Sequence, residues 1–425
     1  MKDCSKAKLN RGGKVPTQAD IHWSKIDSFK GNSSSSTLLQ WRPCPICESK
    51  RSRSILELSD FQFYSDSHDT PKRVDIRDVQ CLDCSAVYMN PCYSQQGFQL
   101  LFAEAGQSYG ASSGRAEEQI AWLSRRGLIK PGKRVLDVGC YDGRFLGHLP
   151  SEVHRVGVDV DLPAIERARR SFGASAEFFH ADFNLFSYPG TLDIITMFHV
   201  LEHLPNPMEV LQNLRSLAHA HTRLVIEVPV LEEGCTNDIC GFFSVQHLTH
   251  FSRSTLAKCI AVAGWSICDS EQQPGYNGYR IVATPSSGTL SACNDAQDTR
   301  LLYGYLSHWY SAAKDIEAKL LDVRGARIAI WGAGLHTEFL YQLTSFFRRQ
   351  VEREYLMIDS DPMKVAKTWR GIPIHSPDSL RLIADLDFQL LISSYGNQEQ
   401  IAKTAIELGV KANKIVKMYD KLRVY

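Results

Sequence analysis

The run Val135-Leu-Asp-Val-Gly-Cys-Tyr-Asp-Gly-Arg-Phe145 is the most informative segment of this chain. A short apolar stretch leads straight into Gly139 and Gly143. Glycine lets the backbone turn sharply and approach a ligand closely, so the run predicts a strand, a tight loop and the start of a helix. A dinucleotide fingerprint is G-x-G-x-x-G, whereas this loop is G-x-x-x-G with Asp137 two residues before its first glycine. The spacing argues against a nicotinamide-type pyrophosphate site.

Short β-branched runs alternate with helical periods on both sides of this loop, from about residue 134 to residue 283. Strand–helix alternation at this spacing is typical of an open, mostly parallel α/β sheet, so we expect the α/β fold class. The runs expected to form strands are Arg134-Val-Leu-Asp-Val138, Arg155-Val-Gly-Val-Asp159, Leu192-Asp-Ile-Ile-Thr196 and Arg223-Leu-Val-Ile-Glu-Val228.

A second α/β pattern follows a linker expected over residues 285–298 and a helix expected over residues 299–323. Its strands are expected at Arg327-Ile-Ala-Ile-Trp331, Tyr355-Leu-Met-Ile358 and Phe388-Gln-Leu-Leu-Ile-Ser393. The glycine turn Gly332-Ala-Gly334 and the later Asp359 are a possible second nucleotide cradle. The turn lacks the third glycine of a dinucleotide fingerprint, so a scaffold that closes a substrate cleft is favoured over an NAD site.

Two cysteine pairs, Cys44-Pro-Ile-Cys47 and Cys81-Leu-Asp-Cys84, precede the central sheet. Each C-x2-C turn offers two thiolates to one ion, and four thiolates satisfy the tetrahedral preference of zinc. Four protein ligands leave no open coordination position, so the pattern predicts a structural Zn²⁺ site with Cys44, Cys47, Cys81 and Cys84 as ligands. Unrelated cysteines or a redox pair are the alternatives.

Composition limits the class of partner. Lys+Arg 48 against Asp+Glu 47 leaves a formal net charge of +1, which provides no electrostatic reason to expect nucleic acid or an anionic membrane as a partner. No apolar run approaches the ~20 residues of a membrane-spanning helix. The basic N-terminus has no apolar stretch behind it, so we expect no signal peptide, and we expect a cytoplasmic protein with reduced thiols.

The length of 425 residues suggests more than one domain. Four regions are expected: a flexible tail over 1–40, a zinc-binding domain over 41–93, the central domain over 94–290 and a C-terminal Rossmann-like domain over 299–425. The sequence leaves the oligomeric state open.

The glycine loop resembles that of class I methyltransferases, which bind S-adenosylmethionine (SAM). Val156-Gly-Val-Asp159 ends the second strand about 20 residues on, where a carboxylate can bind ribose hydroxyls. His180-Ala-Asp182 resembles the acidic position that contacts adenine, and Met197-Phe-His-Val-Leu-Glu-His203 begins where the fourth strand ends. The resemblance implies a SAM site formed by Asp137, Gly139, Tyr141, Gly143, Asp159, Val160, Asp182 and Phe198.

The whole arrangement resembles the zinc-containing sugar C-methyltransferase family, which acts on nucleotide-linked deoxysugars. The resemblance rests on the cysteine pairs, on Cys81-Leu-Asp-Cys-Ser-Ala-Val-Tyr-Met-Asn-Pro91, on Ile226-Glu-Val-Pro229 and on Gln246-His-Leu-Thr-His-Phe-Ser252. It implies a small-molecule substrate such as a nucleotide sugar. The family's Tyr-x-Glu-His cluster is represented here by Ser244-Val-Gln246-His247, which keeps only the histidine.

Methyl transfer to an oxygen or carbon requires removal of a proton, for which histidine is the commonest side chain. The candidate bases are His199, His203 and His247, with His250 and Tyr109 as weaker candidates. His199 is the preferred catalytic residue because it lies nearer the strand end, and at least one of the histidines is expected to be structural. Two alternatives to a sugar methyltransferase remain: an O- or N-methyltransferase for another small molecule, and a SAM-binding scaffold without activity.

Overall fold

The computed structural model describes residues 17–18, 21–26, 37–63, 72–102, 114–272, 276–287, 296–350 and 352–422. Most of the tail expected over 1–40, the candidate Tyr109 and part of the linker expected over 285–298 lie outside these residues.

The region of the cysteine pairs is mainly antiparallel sheet. Strands β2, β3 and β4 pair in order, and a short strand from much later in the chain, Thr249–His250, pairs with β4 as the fourth member of this sheet. The elements are β1 Leu39–Gln40, β2 Ser52–Gln62, β3 Arg73–Cys81, β4 Val87–Met89, β5 Cys92–Tyr93 and α1 Gln95–Phe102.

The central region contains a seven-stranded sheet with helices between its strands. The elements are α2 Arg115–Arg125, β6 Arg134–Val138, α3 Arg144–His148, β7 His154–Asp159, α4 Leu162–Phe172, β8 Glu177–His180, β9 Leu192–Phe198, α5 Pro207–Leu217, β10 Ala218–Pro229, β11 Thr249–His250, α6 Arg253–Val262, β12 Trp265–Gln272 and β13 Gly278–Pro285.

The strand order of the central sheet is β8-β7-β6-β9-β10-β13-β12. Strands β6 to β10 run parallel, and β13 is antiparallel to both of its neighbours. The expectation of an open, mostly parallel α/β sheet is therefore confirmed. Leu136 and Val138 enter one buried cluster and Val135 enters another, so the first strand is apolar on both faces, as a helix-covered parallel sheet requires.

The chain reverses its winding direction beside β6, because β7 lies on one side of that strand and β9 on the other. In open α/β sheets, ligands bind at such a switch point, in the crevice at the carboxyl ends of the strands. The loop after β6, which contains Gly139, lies at this position.

The last region contains a six-stranded sheet in the order β16-β17-β15-β14-β18-β19, in which only the pairing of β16 is antiparallel. The second α/β pattern is thus confirmed, and the leading helix begins three residues earlier than expected. The elements are α7 Ala296–Leu320, β14 Arg327–Trp331, α8 Leu335–Leu343, β15 Glu354–Ile358, β16 Thr368–Trp369, β17 Ile372–His375, α9 Ser379–Ile383, β18 Gln389–Ile392, α10 Gln398–Glu407 and β19 Ile415–Lys417.

Apolar packing joins the antiparallel sheet of the cysteine region to both α/β sheets, and one buried cluster contains Val79 of β3 together with Leu136 of β6. Another buried cluster contains Phe61 from β2, Phe243 from the segment after β10, Trp309 from α7 and Ile330 from β14. Residues of different regions therefore pack in the same hydrophobic core, and a substitution in one region is expected to alter the packing of its neighbours. Among the described helices, none has the length and apolar character needed to cross a membrane.

Candidate active site

The loop after β6 is shaped by left-handed backbone and close packing. Gly139 has φ 76°, and a Cβ atom at this position would lie 2.4 Å from Cγ2 of Val200. Real Cβ atoms do not approach so closely, so glycine is required both by the turn and by the segment that follows β9. Gly143 also has φ 76°, and there a Cβ would meet the ring of Phe178 at 2.8 Å.

Asp159, the last residue of β7, holds this loop in place. Its Oδ2 accepts a hydrogen bond from the Tyr141 amide at 2.8 Å, and its Oδ1 accepts one from the Asp161 amide at 2.9 Å. The carboxylate is 8% exposed, and burial raises its pKa. Tyr141 has φ 48°, an uncommon conformation for a residue with a side chain. Asp159 thus ties the end of the second strand to the loop at the switch point.

Asp137 of β6 is 5% exposed, and its contact with a cofactor remains a prediction. Thr196 Oγ1 donates a hydrogen bond of 2.7 Å to Asp137 Oδ1, which links β6 to β9. Burial raises the pKa of Asp137 to about 7, against the lowering effect of the Thr196 hydrogen bond. Its visible role is to join the two strands that flank the crevice.

The other predicted SAM-contact residues lie after β7 and β8 and at the end of β9. Val160 is 43% exposed, and its carbonyl lies 3.1 Å from Nε2 of His180. Asp182 is exposed and accepts the Asn184 amide at 2.9 Å, as a turn residue does. Phe198 is half-buried, and its ring meets that of Phe145 edge to face. Their contact with a cofactor remains a prediction.

His199 is surrounded by acidic and phenolic groups. Its Nε2 lies 2.9 Å from Glu227 Oε1 and 2.7 Å from the Tyr276 hydroxyl, and its Nδ1 lies 3.4 Å from Glu202 Oε1. Burial lowers the pKa of His199 and the two carboxylates raise it, to a net value of about 9. A cationic imidazole has no lone pair, so this geometry favours a positioning role for His199 over the general-base role expected from the sequence.

Glu227 is the centre of a buried charged network that sequence reasoning did not single out. Arg280 Nε donates to Glu227 Oε2 at 2.6 Å, and the Tyr276 hydroxyl donates to Oε1 at 2.6 Å. Burial raises the pKa of Glu227, but His199 and Arg280 lower it more strongly, so the pKa is depressed. Arg280 also pairs with Glu118 of α2, which ties that helix to the site. The available signal was a single acid within the apolar run from Leu224 to Val230.

The structure brings the other two candidate bases together. The rings of His203 and His247 lie 4.9 Å apart, and the carboxylate of Glu202 lies beside them. Nδ1 of His203 is 2.8 Å from the Gln246 carbonyl, which fixes the ring. Burial and the neighbouring His203 hold the pKa of His247 well below its ordinary value, so this ring is neutral.

His250 is a structural residue. It is fully buried, and its Nε2 bonds Oδ1 of Asp78 at 3.1 Å in the antiparallel sheet of the cysteine region. Its ring centroid lies 6.4 Å from that of His247, but its Nε2 is engaged by Asp78.

The cysteine region supports the segment that carries His247. After that residue the chain pairs with β4 as β11. The Leu248 amide donates to the Glu202 carbonyl at 2.7 Å, and the Leu248 carbonyl accepts from the Met89 amide at 3.1 Å. The positions of His247 and Glu202 therefore depend on the antiparallel sheet of the cysteine region.

The four predicted metal ligands converge. The Sγ atoms of Cys44, Cys47, Cys81 and Cys84 all lie within 4.8 Å of one another, and the Cys44–Cys84 and Cys47–Cys81 separations are both 3.6 Å. Zn–S bonds of about 2.3 Å in a tetrahedron place two sulfur atoms about 3.8 Å apart. The donor set and its spacing therefore fit one zinc ion.

The glycine turn after β14 is held by Asp359 much as the loop after β6 is held by Asp159. Asp359 Oδ2 accepts the Ala333 amide at 2.8 Å, and Oδ1 accepts the Asp361 amide at 2.9 Å. Here, however, Lys364 Nζ also bonds Oδ2 at 3.0 Å. Asp359 is thus paired with a cationic side chain, and the scaffold role expected for this turn remains a prediction.

Comparison with known families identifies the central region. Residues 113–269 match the family profile described as a methyltransferase domain. The chain carries a class I methyltransferase domain. Domains of this class take their methyl group from SAM, and the glycine loop and Asp159 both lie within the matched segment.

Curated relatives of this methyltransferase domain include two ubiquinone biosynthesis O-methyltransferases. The one from Aromatoleum aromaticum is 32% identical over 95 residues, covering 21% of this chain and 40% of the relative. The one from Burkholderia thailandensis is 26% identical over 171 residues, covering 34% of this chain and 73% of the relative. The chain spans about two fifths of the length of several curated relatives, at 40% and 38%.

Among solved structures, the Burkholderia thailandensis 1,6-didemethyltoxoflavin-N1-methyltransferase, with bound 1,6-didemethyltoxoflavin and S-adenosylhomocysteine, is similar at a TM-score of 0.39 and 16% identity. The match covers 49% of this chain and 99% of that one.

Proposed function

We propose that this protein transfers a methyl group from SAM to an oxygen atom of a small molecule. The observation that carries the proposal is the Asp159 carboxylate, which ends the second strand at the switch point and is bonded to the glycine loop. A carboxylate in this position can accept hydrogen bonds from ribose hydroxyls. It supports SAM binding more directly than any other residue of the crevice.

The residues of the crevice fit SAM. Gly139 allows the loop to pack closely against Val200, and Tyr141 in the same loop has a left-handed conformation. The buried Asp159 carboxylate is bonded to the loop at the crevice. SAM supplies an electrophilic methyl group on a positively charged sulfur. The chain's residues then have to bind and orient the two partners and exclude water, which are the main protein contributions to a displacement of this kind.

The acceptor is expected beside the histidine group after β9. Glu227 and Tyr276 hold His199, Arg280 holds Glu227, and the rings of His203 and His247 lie together in the neighbouring segments. A hydroxyl needs only modest assistance to lose its proton, whereas a carbon next to a ketone needs a well-placed base and enolate stabilisation. Ser244 and Gln246 replace the tyrosine and glutamate of the sugar C-methyltransferases, so oxygen is the preferred target atom.

For the acceptor class we propose a sugar, including a nucleotide-linked sugar. The support is the sequence resemblance in the Cys81–Pro91 run and in the Gln246–Ser252 run, together with the cysteine set. A second candidate is a phenolic or other small hydroxyl compound, because two relatives are named O-methyltransferases of ubiquinone biosynthesis.

We also propose that residues 41–93 are a zinc-stabilised support, in which Cys44, Cys47, Cys81 and Cys84 hold the ion. Residues 94–290 would form the catalytic domain, and residues 299–425 would close the acceptor side of the crevice.

The test is incubation of the full-length protein with isotope-labelled SAM and two acceptor panels, nucleotide sugars and phenols, with the products identified by mass spectrometry. We expect label on an oxygen of a sugar. His247→Ala and His199→Ala are expected to reduce turnover far more than SAM affinity. Transfer to phenols alone would replace the sugar proposal by the second candidate, and transfer to carbon would refute the choice of oxygen.

A further inference from the structure

Glu202 is an unusual residue for its surroundings. Its side chain is 1% exposed, and neither carboxylate oxygen has a hydrogen-bond partner within the described part of the chain. Oε1 forms an ion pair with His199, whose Nδ1 lies 3.4 Å away, and Glu227 shares the same histidine. One imidazole shared between two buried carboxylates offsets only part of the cost of removing Glu202 from water, and a metal ion is the other usual partner of a buried charge.

His203 presents a ring nitrogen to this carboxylate. Its Nδ1 lies 2.8 Å from the Gln246 carbonyl, and a carbonyl can only accept, so Nδ1 carries the proton. The lone pair is then on Nε2, which is 3.9 Å from Glu202 Oε1. Metal-bound histidines are commonly held in this way, with the second nitrogen donating to a backbone carbonyl.

His247 supplies the third group. Its Nδ1 is buried and lacks a hydrogen-bond partner within the described ranges, and its ring meets that of His203 edge to face, with 4.9 Å between centroids. One ligand atom from each of Glu202, His203 and His247 lies within 4.8 Å of the others. Ligands on one ion with bonds of about 2.0–2.2 Å lie at most about 4.4 Å apart, so small side-chain adjustments are sufficient.

We propose that Glu202, His203 and His247 bind a divalent transition-metal ion, with zinc as the commonest candidate. Two imidazoles and one carboxylate are a donor set suited to such ions, and three protein ligands leave open coordination positions. The site is separate from the four cysteines, whose thiolates fill their own tetrahedron. Ion binding itself does not depend on the proposed function.

The role of the ion does rest on the proposed function. An acceptor with two adjacent oxygen atoms can fill the open positions, and a bound hydroxyl becomes more acidic. The O–H bond then breaks and the proton passes to solvent, the oxygen forms a bond to the methyl carbon, and the carbon–sulfur bond of SAM breaks to leave S-adenosylhomocysteine. His203 and His247 would act as ligands in this scheme, and neither imidazole would have to accept the proton.

The test counts zinc in the full-length protein after equilibration with a zinc buffer. We expect two ions per chain in the wild type and one in both Glu202→Gln and His247→Ala. His219→Ala changes a histidine of β10, which carries none of the proposed ligands, and is expected to keep two ions. Circular dichroism and thermal melting establish that each variant is folded.

A second measurement uses the wild type alone. With zinc in the cysteine site, added Co²⁺ is expected to give visible bands of a nitrogen- and oxygen-ligated ion without thiolate charge transfer. One zinc per wild-type chain together with no such cobalt spectrum would overturn the proposal, and so would two zinc ions retained in both Glu202→Gln and His247→Ala.

Separate failures are distinguishable. Suppose that the wild type binds one zinc ion, that Cys44→Ser still binds one, and that Glu202→Gln binds none. The site of Glu202, His203 and His247 then stands, and the cysteine site fails. If two ions are present and lost as expected, but no acceptor is methylated, ion binding stands and the proposed methyl transfer fails.

Discussion

Replacing Asp159 tests the SAM site directly, because the last sheet contains a matched control. Asp159 accepts two backbone amides at 2.8 and 2.9 Å, and Asp359 accepts the corresponding two amides at the same distances. The difference is that Lys364 neutralises Asp359. The same substitution at the two positions therefore removes similar local contacts, while only one of them removes a carboxylate that faces the proposed cofactor.

The expected magnitude follows from the hydrogen bonds. A bond to a charged group contributes about 1.5–3 kcal/mol, so loss of two ribose bonds in Asp159→Ala costs about 3–6 kcal/mol. Since 1.4 kcal/mol corresponds to a tenfold change, SAM affinity is expected to fall at least about 100-fold. Asp159→Asn keeps one acceptor oxygen and loses the charge, for which we expect about a tenfold loss.

The assay is isothermal titration calorimetry of the folded variants with S-adenosylhomocysteine, which forms the same ribose contacts without being consumed. Asp359→Asn is expected to bind as the wild type does. The reasoning is refuted if folded Asp159→Ala binds within about threefold of the wild type, or if Asp359→Asn loses as much affinity as Asp159→Asn.

Two other predictions concern the support of the site. Cys84→Ser is expected to lose the zinc ion of the cysteine region and to lower the thermal stability of the protein, because structural zinc contributes folding free energy. Metal analysis and a melting curve check this, with Cys268→Ser, at an exposed cysteine, as the control. An unchanged zinc count in Cys84→Ser would contradict the prediction. Asp137 has a folded pKa raised to about 7 by burial. Its contribution to stability is therefore fully present below its ordinary pKa of about 3.9 and is lost as the pH rises through 7, so Asp137→Asn is expected to gain about 2–3 kcal/mol relative to wild type between pH 5 and pH 8. Urea unfolding at both pH values measures this gain, and a difference that does not vary with pH would remove Asp137 as its source.

Local pattern was enough to predict the elements of the fold. The strand expected at Arg327–Trp331 has those bounds in the structure, and the strands expected near 355–358 and 388–393 are found at Glu354–Ile358 and Gln389–Ile392. Short runs rich in apolar and β-branched residues carry this information in the chain itself. The cysteine spacing was similarly informative, because two residues between thiols is already the geometry of one half of a metal site.

The order of the strands was not readable in this way. Strand β13 lies between β10 and β12 and runs antiparallel to both, which depends on packing between segments far apart in the sequence. The same limit applied to the histidines. His199, His203 and His247 are the same residue type, so the sequence does not distinguish their surroundings. In the structure, His199 lies between the carboxylates of Glu227 and Glu202, whereas His203 and His247 lie together beside Glu202.

The amino-acid sequence alone determined that a glycine loop follows a buried strand, that a carboxylate ends the next strand, and that four thiols come in two pairs. Each of these depends on residues close together in the chain. The tertiary structure decided which groups meet: Arg280 with Glu227, and Glu202 with His203 and His247. The raised pKa of His199 and the burial of the Glu202 carboxylate among histidines arise from these contacts, because burial and charge act through space and do not depend on adjacency in the sequence.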